Sequence, residues 1–298
     1  MKRAYKIAVI LFAVLLLSSF VTSCGCNIIG SVVFNNFYKY DDFEKYSAGN
    51  FSCSSSEINS IDIEWINGKI ELVKAEGENI YVTESSADIS DIDDDMKVHC
   101  YVKNGTLYIK FCAAGYKYSK INDKCKHLKV CVPKNADVDI DTVSSDINIG
   151  DAVFDRLSID VISGNVDGQK VNADKVNIET TSGSISFESL IAKNADFDTV
   201  SGNIKIKELG ISGAEINSVS GYADIALSSK ADIDFSSVSG SITIELPDGI
   251  GAKARIDSVS GVFHSKKTFT EEKKDVYVIG NGECLFDIDT TSGDVYIN

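Results

Sequence analysis

Apolar and polar residues alternate along the second half of the chain, in short runs such as Asp-Phe-Asp-Thr (196–199) and Asn-Ile-Lys-Ile (203–206). Apolar residues two positions apart point to one face of a β-strand, so the alternation predicts strands with one buried face. Between the runs stands the dipeptide Ser-Gly or a close variant, whose serines are spaced by 19 residues five times in succession. These serines are Ser144, Ser163, Ser182, Ser201, Ser220 and Ser239, and the repeat returns at Ser260 and Ser292.

Each repeat places an apolar residue at the same position before its serine. Four residues upstream, the column reads Ile140, Ile159, Ile178, Phe197, Ile216, Phe235, Ile256 and Ile288. Units that share such a column bury it by stacking on one another about 4.8 Å apart. The pattern predicts an all-β fold, a single-chain β-solenoid (β-helix) built from 19-residue strand, Ser-Gly corner and strand repeats over residues 136–298. Glycine tolerates a sharp bend, so the Ser-Gly pairs are interpreted as corners and not as nucleophiles.

Residues 58–135 carry a weaker form of this pattern. Strand, turn and strand can be traced around Asn67-Gly68 and again around Asn104-Gly105. We interpret residues 58–135 as degenerate N-terminal β-repeats, and residues 24–57 as a lipid-anchor tether and cap. The last two repeats are spaced by 21 and 32 residues, which indicates insertions at 249–251 and 266–275.

The N-terminus has the organisation of an export signal. A basic start is followed by the apolar run Ile7–Val21, which as a helix would rise about 22 Å, less than a membrane core of about 30 Å. The run ends in Val-Thr-Ser-Cys, which resembles the bacterial lipobox, so residues 1–23 are predicted to be a signal peptide and Cys24 the site of lipidation. The protein would then be exported and lipid-anchored at the outer face of the bacterial cytoplasmic membrane or in the cell wall. The alternative is ordinary cleavage after Ser23, with Cys24 free or in a disulfide.

Charge and cysteine content narrow the choice of partners. With 44 acidic and 29 basic residues the net charge is −15, which argues against nucleic acid as a partner. No Cys or His spacing typical of zinc is present, so no metal site and no cofactor are predicted. A disulfide between Cys112 and Cys125 would close a polar loop, and the alternative is that these thiols stay reduced.

An outward acidic strip is the one surface feature that suggests a ligand. It comprises Asp141, Asp160, Glu179 and Asp198. Stacked carboxylates could bind Ca²⁺, although a solvated acidic face that keeps the protein soluble is the favoured interpretation.

Catalysis is disfavoured by the scarcity of suitable side chains. The sequence has three arginines and three scattered histidines, His99, His127 and His264. A regular column of carboxylates does not provide the unequal environments that an acid–base pair requires. We therefore predict that the protein is not an enzyme, and a carbohydrate-active β-helix enzyme is the less favoured alternative.

Three segments carry a family resemblance. Ile-Asn-Gly-Lys-Ile-Glu-Leu (66–72), Leu-Lys-Val-Cys-Val-Pro (128–133) and the Val-Ser-Gly-x-Ile-x-Ile repeats resemble a bacterial family of uncharacterised β-strand repeat lipoproteins, labelled the putative adhesin family. The resemblance covers roughly residues 50–298 and implies a β-solenoid on the bacterial envelope.

The function expected from this resemblance and from the residues is a non-catalytic cell-surface binding or scaffolding lipoprotein. Its partners would be the membrane, through the lipid, and an unknown surface protein or glycan. The alternative is an envelope accessory or sensor protein that binds a partner in its own membrane.

Overall fold

The computed structural model describes residues 37–86, 93–117 and 125–298, so Cys24 and the predicted signal peptide lie outside the described residues. The chain forms two compact units, one within Ser19–Ala173 and the other containing Asp174–Asn298. The strands of the first half are β1 (Ser47–Ala48), β2 (Phe51–Ser54), β3 (Ser60–Lys74), β4 (Asn79–Ser85), β5 (His99–Lys103), β6 (Thr106–Lys110), β7 (Lys126–Val132), β8 (Ala136–Ile149), β9 (Ala152–Ser163) and β10 (Val166–Ser182). Three short 3-10 helices cover Phe43–Lys45, Ser55–Glu57 and Asp94–Met96.

The second half continues as strands alone in the described residues. They are β11 (Ile185–Thr199), β12 (Ile204–Gly210), β13 (Gly213–Ser218), β14 (Tyr222–Leu227), β15 (Asp232–Ser237), β16 (Ser241–Glu245), β17 (Ala252–Ser258), β18 (Phe263–Ser265), β19 (Thr270–Lys273), β20 (Val276–Ile279), β21 (Cys284–Thr290) and β22 (Val295–Ile297). The predicted all-β fold class is confirmed.

Parallel stacking organises the N-terminal unit. Strand β9 pairs with β8, and β8 pairs with β3 over nearly the whole length of β3. On its other edge β3 pairs in parallel with β6 and then with β7, which together fill one rung. Gly68 in β3 has φ +115°, and a Cβ there would overlap the backbone of Lys126, so this corner requires glycine.

Antiparallel strands close the outer end of this unit. Strands β5 and β1 pair outward from β6, and β4 and β2 pair outward from β7. Asn104 and Gly105 have φ values of 53° and 81°, as in the two-residue turns that favour antiparallel hairpins. The Asn104-Gly105 turn thus joins the antiparallel pair β5–β6, whereas Asn67-Gly68 lies at a solenoid corner in register with Ser144-Ser145. Residues 58–135, interpreted from sequence as degenerate repeats, therefore contain both parallel rung strands and an antiparallel end.

The C-terminal unit stacks its repeats as the 19-residue period predicts, up to β16. Phe197 pairs with Ile216, and Ile216 pairs with Phe235, and all three side chains are buried. The strands that follow the corners stack in parallel in the order β11, β12, β14 and β16. The apolar column read from the sequence is therefore the core of this unit.

The last repeat departs from sequence order. Strand β21 pairs with β15 on one edge and with β17 on the other, and β22 lies in the same way between β16 and β18. The hairpin β19–β20 covers the end of this stack, because β20 pairs antiparallel with β17 on its remaining edge. The insertion predicted at 266–275 therefore belongs to an end cap, where the ring of Phe263 contacts those of Phe269 and Tyr277.

Candidate ligand-binding groove

Outward side chains of the C-terminal unit form two neighbouring columns. The first runs through Asp196, Glu215, Asp234, Asp287 and Arg255, which are paired in that order from strand to strand. The second lies two residues later and runs through Asp198, Asn217, Ser236, Asp289 and Asp257. Their position follows from strand alternation, because the residues between them belong to the buried column.

An open groove of about 640 Å³ follows the first column. Its lining residues are Lys175, Asn194, Asp196, Gly213, Ala214, Glu215, Asp232, Ile233, Asp234, Leu285 and Asp287. Five of these are carboxylates and one is a lysine. Leu285 is 53% exposed at the groove, so an apolar contact is available beside the charges. We name this surface the acidic groove.

Basic and amide groups neutralise part of this charge. Lys175 Nζ lies 3.3 Å from an Asp196 carboxylate oxygen, and Arg255 pairs with Asp287 and, at 3.1 Å, with Asp289. Asn217 donates a hydrogen bond of 3.1 Å to Glu215. Arg255 can reach both aspartates because β21 lies directly beside β17. Glu215 and Asp234, in the middle of the groove, form no ion pair with a basic side chain of the described residues.

Burial and crowding raise the pKa values of carboxylates in these columns. Desolvation raises the pKa of Asp198 from 3.8 to about 6, and the negative charges of Glu179, Glu215 and Asp196 act in the same direction against a hydrogen bond from Asn217. Desolvation also raises the pKa of Asp234, helped by Asp287. A positive group entering the groove would relieve the repulsion among these carboxylates.

The predicted cation strip is divided between the units. Asp141 and Asp160 are paired neighbours on β8 and β9 in the N-terminal unit, whereas Glu179 and Asp198 belong to the C-terminal unit. Among the described residues, no group of three or more His, Cys, Asp or Glu side chains is placed to hold a metal ion. Calcium binding by the strip therefore stays a prediction.

The predicted disulfide residues are separate thiols in this structure. Cys112 is buried, with its pKa raised to about 12 by desolvation, and its thiol donates to the carbonyl oxygen of Ala113 at 3.6 Å. Cys125 is exposed, and its thiol lies 3.8 Å from Asn67 Oδ1. The bridge between them stays a prediction.

The three histidines lie in different local settings. His99 is buried and its Nδ1 lies 2.8 Å from the carbonyl of Lys97, whereas His127 Nε2 lies 3.2 Å from Glu71. His264 stacks on the ring of Tyr296, with ring centroids 4.7 Å apart. Each histidine thus has its own structural neighbour.

Two buried lysines in the N-terminal unit were missed in the sequence. Lys126 is fully buried, forms an ion pair with Glu84, and donates to the carbonyls of Met96, at 2.7 Å, and Phe111. Lys110 pairs with Glu64 at 2.9 Å and Asp62 at 3.0 Å. Burial lowers the pKa of Lys126 and raises that of Glu64. Lys126 could have been found, because it shares the inward phase of β7 with Leu128, Val130 and Val132.

Parallel rungs, Ser-Gly corners and buried apolar columns define a β-solenoid repeat protein. The chain belongs to the Toastrack DUF4097 family, whose model matches residues 58–298. No curated protein sequence matches this chain. Within the described residues, none of the helices is long and apolar enough to cross a membrane.

Solved structures similar to this chain include three proteins described as putative adhesins. The one from Bacteroides fragilis NCTC 9343 is 15% identical over 85% of this chain and 97% of its own, with a TM-score of 0.47. The one from Parabacteroides distasonis ATCC 8503 is 14% identical over 85% and 97%, with a TM-score of 0.43. The one from Parabacteroides merdae ATCC 43184 is 14% identical over 85% and 96%, with a TM-score of 0.40.

Proposed function

We propose that this protein is a non-catalytic binding module of the bacterial surface, exported and anchored through a lipid on Cys24. The acidic groove is the observation that carries the proposal. It is an elongated, open surface on stacked strands, and it combines excess negative charge with the exposed side chain of Leu285. A rigid β-scaffold of this kind presents its side chains without a large ordering cost on binding.

The groove fits a partner that carries positive charge. Its five carboxylates face one lysine, and Glu215 and Asp234 stand side by side on paired strands. Basic side chains or free amino groups would gain charge-assisted hydrogen bonds there, and the field would speed their encounter with the protein. We therefore propose a basic segment of a surface protein, or a glycan with free amino groups, as the ligand.

The N-terminal sequence pattern supports a surface location. Its lipobox-like segment ends at Cys24, the proposed site of the lipid anchor. An adhesin would bind a target outside the cell, and an envelope accessory would bind a neighbour in its own membrane or wall. The same groove serves either role, so the location of the partner distinguishes them.

A co-sedimentation assay with the purified protein tests this function. The solid phases are the producing organism's cell wall and a host mucin matrix, each with and without Ca²⁺. The groove variant is Glu215→Gln/Asp234→Asn, and the matched control is Asp151→Asn/Asp155→Asn, which removes the same charge from exposed positions of the N-terminal unit. If the partner binds in the groove, at least tenfold less of the groove variant than of the wild type is expected to co-sediment at low salt. The control variant is expected to co-sediment as the wild type does.

The pattern of binding separates the two roles. Binding to the host matrix supports an adhesin, and binding only to the organism's own wall supports an envelope accessory. Equal binding by the groove variant and the control contradicts the groove as the binding site. Failure to bind either phase contradicts both roles as stated for these targets.

A further inference from the structure

The C-terminal rung, β21–β22 with Asn298, lies between two rungs that precede it in the chain. Phe286 pairs with Ile233 on one edge and with Ala254 on the other, and Val295 likewise lies between Ile242 and Phe263. The rung is therefore the fourth in the stack formed by β11, β13, β15, β21 and β17, although it is the last in sequence.

Backbone hydrogen bonds hold both edges of this rung. Thr291 and Ser292 donate to the carbonyls of Ser237 and Val238, at 3.2 and 3.1 Å. On the other edge, Ser260 donates to the carbonyl of Thr291 at 3.1 Å. At the C-terminus, Asn298 donates to Ile244 at 2.9 Å, and its own carbonyl accepts from Leu246 at 2.8 Å. Strand addition of this kind supplies affinity through the main chain.

Side chains of the rung complete the apolar core. Phe286, Ile288, Val295 and Ile297 are each 2% exposed or less. They alternate with outward polar residues, so the segment has one apolar face, which is buried only when the segment lies inside the stack. Without the segment, the edges of β15–β16 and β17–β18 would face each other across a gap one rung wide, with their backbone hydrogen-bonding groups unpaired.

The slot requires a glycine at its corner. Gly293 packs between Gly240 and Gly261, and a Cβ at Gly293 would overlap the carbonyl of Gly240. The Asp294 carboxylate accepts the N–H of Val262 at 2.9 Å, and Arg255 pairs with two aspartates of β21. A donor strand must therefore carry glycine at the corner and acids at these places, which the chain's own C-terminus does.

A short connection links the rung to the cap. Only residues 280–283 separate β20 from β21, and Gly280 and Gly282 have φ values of 60° and 68°. Three of these four residues are exposed. Short hinge loops of this type favour exchange of the following segment between copies when the loop is shortened or opened.

We propose that the slot between β15–β16 and β17–β18 is a binding site for a β-strand pair, which the C-terminal segment 284–298 fills as a separable ligand. The same segment of a second copy of this chain can replace it, and the product is a strand-exchanged dimer. The segment also supplies Leu285 and Asp287 to the acidic groove, but as a ligand of the slot it enters between strands, and it is selected by Gly293, the apolar face and the aspartates that meet Val262 and Arg255.

The first test nicks the full chain at a protease site inserted between Asn281 and Gly282. The probe is a labelled synthetic peptide of residues 283–298, and the control peptide carries Gly293→Leu. The nicked fragment is expected to co-elute with the rest of the chain, and the probe is expected to exchange with it below the unfolding temperature. The control peptide is expected to bind at least tenfold more weakly, because its side chain meets the Gly240 carbonyl.

Two results would overturn the separable-ligand part of the proposal. One is loss of the fragment on nicking with no change in the melting temperature of the remainder, which would mean that the slot closes without it. The other is a fragment that stays bound but never exchanges until the whole protein unfolds.

Exchange between copies is tested in a full chain that lacks Asn281 and Gly282. Ile279 and Cys284 pair with Ala252 on its two edges, so the two remaining linker residues would have to cross a whole strand, which disfavours return of the chain's own segment to the slot. Size-exclusion chromatography with light scattering is therefore expected to show a dimer, and adding Gly293→Leu is expected to abolish it. A folded monomer from the deletion chain would contradict exchange with a second copy. If the deletion chain does not fold, exchange of the labelled peptide in the nicked protein still decides the separable-ligand claim.

Discussion

Replacing Lys126 with methionine removes the cation at the centre of the N-terminal unit. Its side chain is fully buried, and Nζ lies 4.8 Å from the centroid of the Trp65 ring and 4.1 Å from that of Phe111. Its ion-pair partner Glu84 is 4% exposed, and a carboxylate oxygen of Glu84 accepts the N–H of Val98 at 2.8 Å. Lys126→Met therefore leaves a buried carboxylate without its counter-ion.

The expected cost follows from that uncompensated charge. Removing one partner of a buried pair costs about 3–5 kcal/mol, a large share of the 5–15 kcal/mol by which domains are typically stable. Lys126→Met/Glu84→Gln removes both charges and is expected to recover at least about 2 kcal/mol of that loss. Lys129→Met is the matched control, because Lys129 lies on the same strand but pairs with Glu71 at 46% exposure, where an ion pair contributes about 1 kcal/mol at most.

Urea unfolding followed by tryptophan fluorescence measures these differences. Trp65 is the one tryptophan of the chain and its ring lies beside Lys126, so the signal reports on this unit. The slope of the free energy of unfolding against urea is expected to stay constant across the variants. A Lys126→Met cost no larger than that of Lys129→Met, or a double variant as unstable as the sum of its single variants, would refute the reasoning.

Three further predictions concern the C-terminal unit and the anchor. The pKa of Asp198, raised to about 6, means that the proton it takes up stabilises the fold fully below pH 3.8, and this contribution is lost as the pH rises through 6. Asp198→Asn is therefore expected to be as stable as the wild type near pH 4 and more stable by up to about 3 kcal/mol at pH 7.5. The control Asp248→Asn, in an exposed loop, is expected to leave the stability unchanged at both pH values. Melting curves across this pH range in which the gain of Asp198→Asn did not grow with pH would contradict this prediction. Phe197→Ala is expected to cost about 3–5 kcal/mol in urea unfolding and Ile191→Ala, half exposed, less than 1 kcal/mol, and equal costs would contradict the buried column. Cys24→Ser is expected to remove the acyl mass from the mature N-terminus and to release the protein from the membrane fraction. A wild-type protein that shows no acyl mass by mass spectrometry would contradict lipidation.

The period of the repeats made the core predictable. Phe197, Ile216 and Phe235 are 19 residues apart and pair strand to strand, because β-strand alternation fixes which side chains point inward. The order of the last rungs could not be predicted in this way. Every repeat carries the same apolar pattern, so this pattern alone does not determine which rungs are neighbours, and in the structure β20 and β21 lie on opposite edges of β17.

The candidate site was predictable in part for the same reason. Alternation placed Asp196 and Asp234 on the outer face, but their neighbours depended on the stacking order. The approach of Arg255 to Asp287 follows from insertion of the last rung and not from sequence spacing. The burial of Lys126 is not among the features predicted from the sequence, although its phase in β7 places it inside.

Zero-length carbodiimide crosslinking on living cells of the producing organism tests binding through the acidic groove most directly. The reagent joins carboxylates to amines in contact, and mass spectrometry identifies the carboxylates that carry a partner. We predict crosslinks from Glu215, Asp234 or Asp287 to amino groups of another surface molecule, weakened at high salt and lost in Glu215→Gln/Asp234→Asn. Crosslinks confined to carboxylates outside the groove, or unchanged in that variant, would contradict binding at this site.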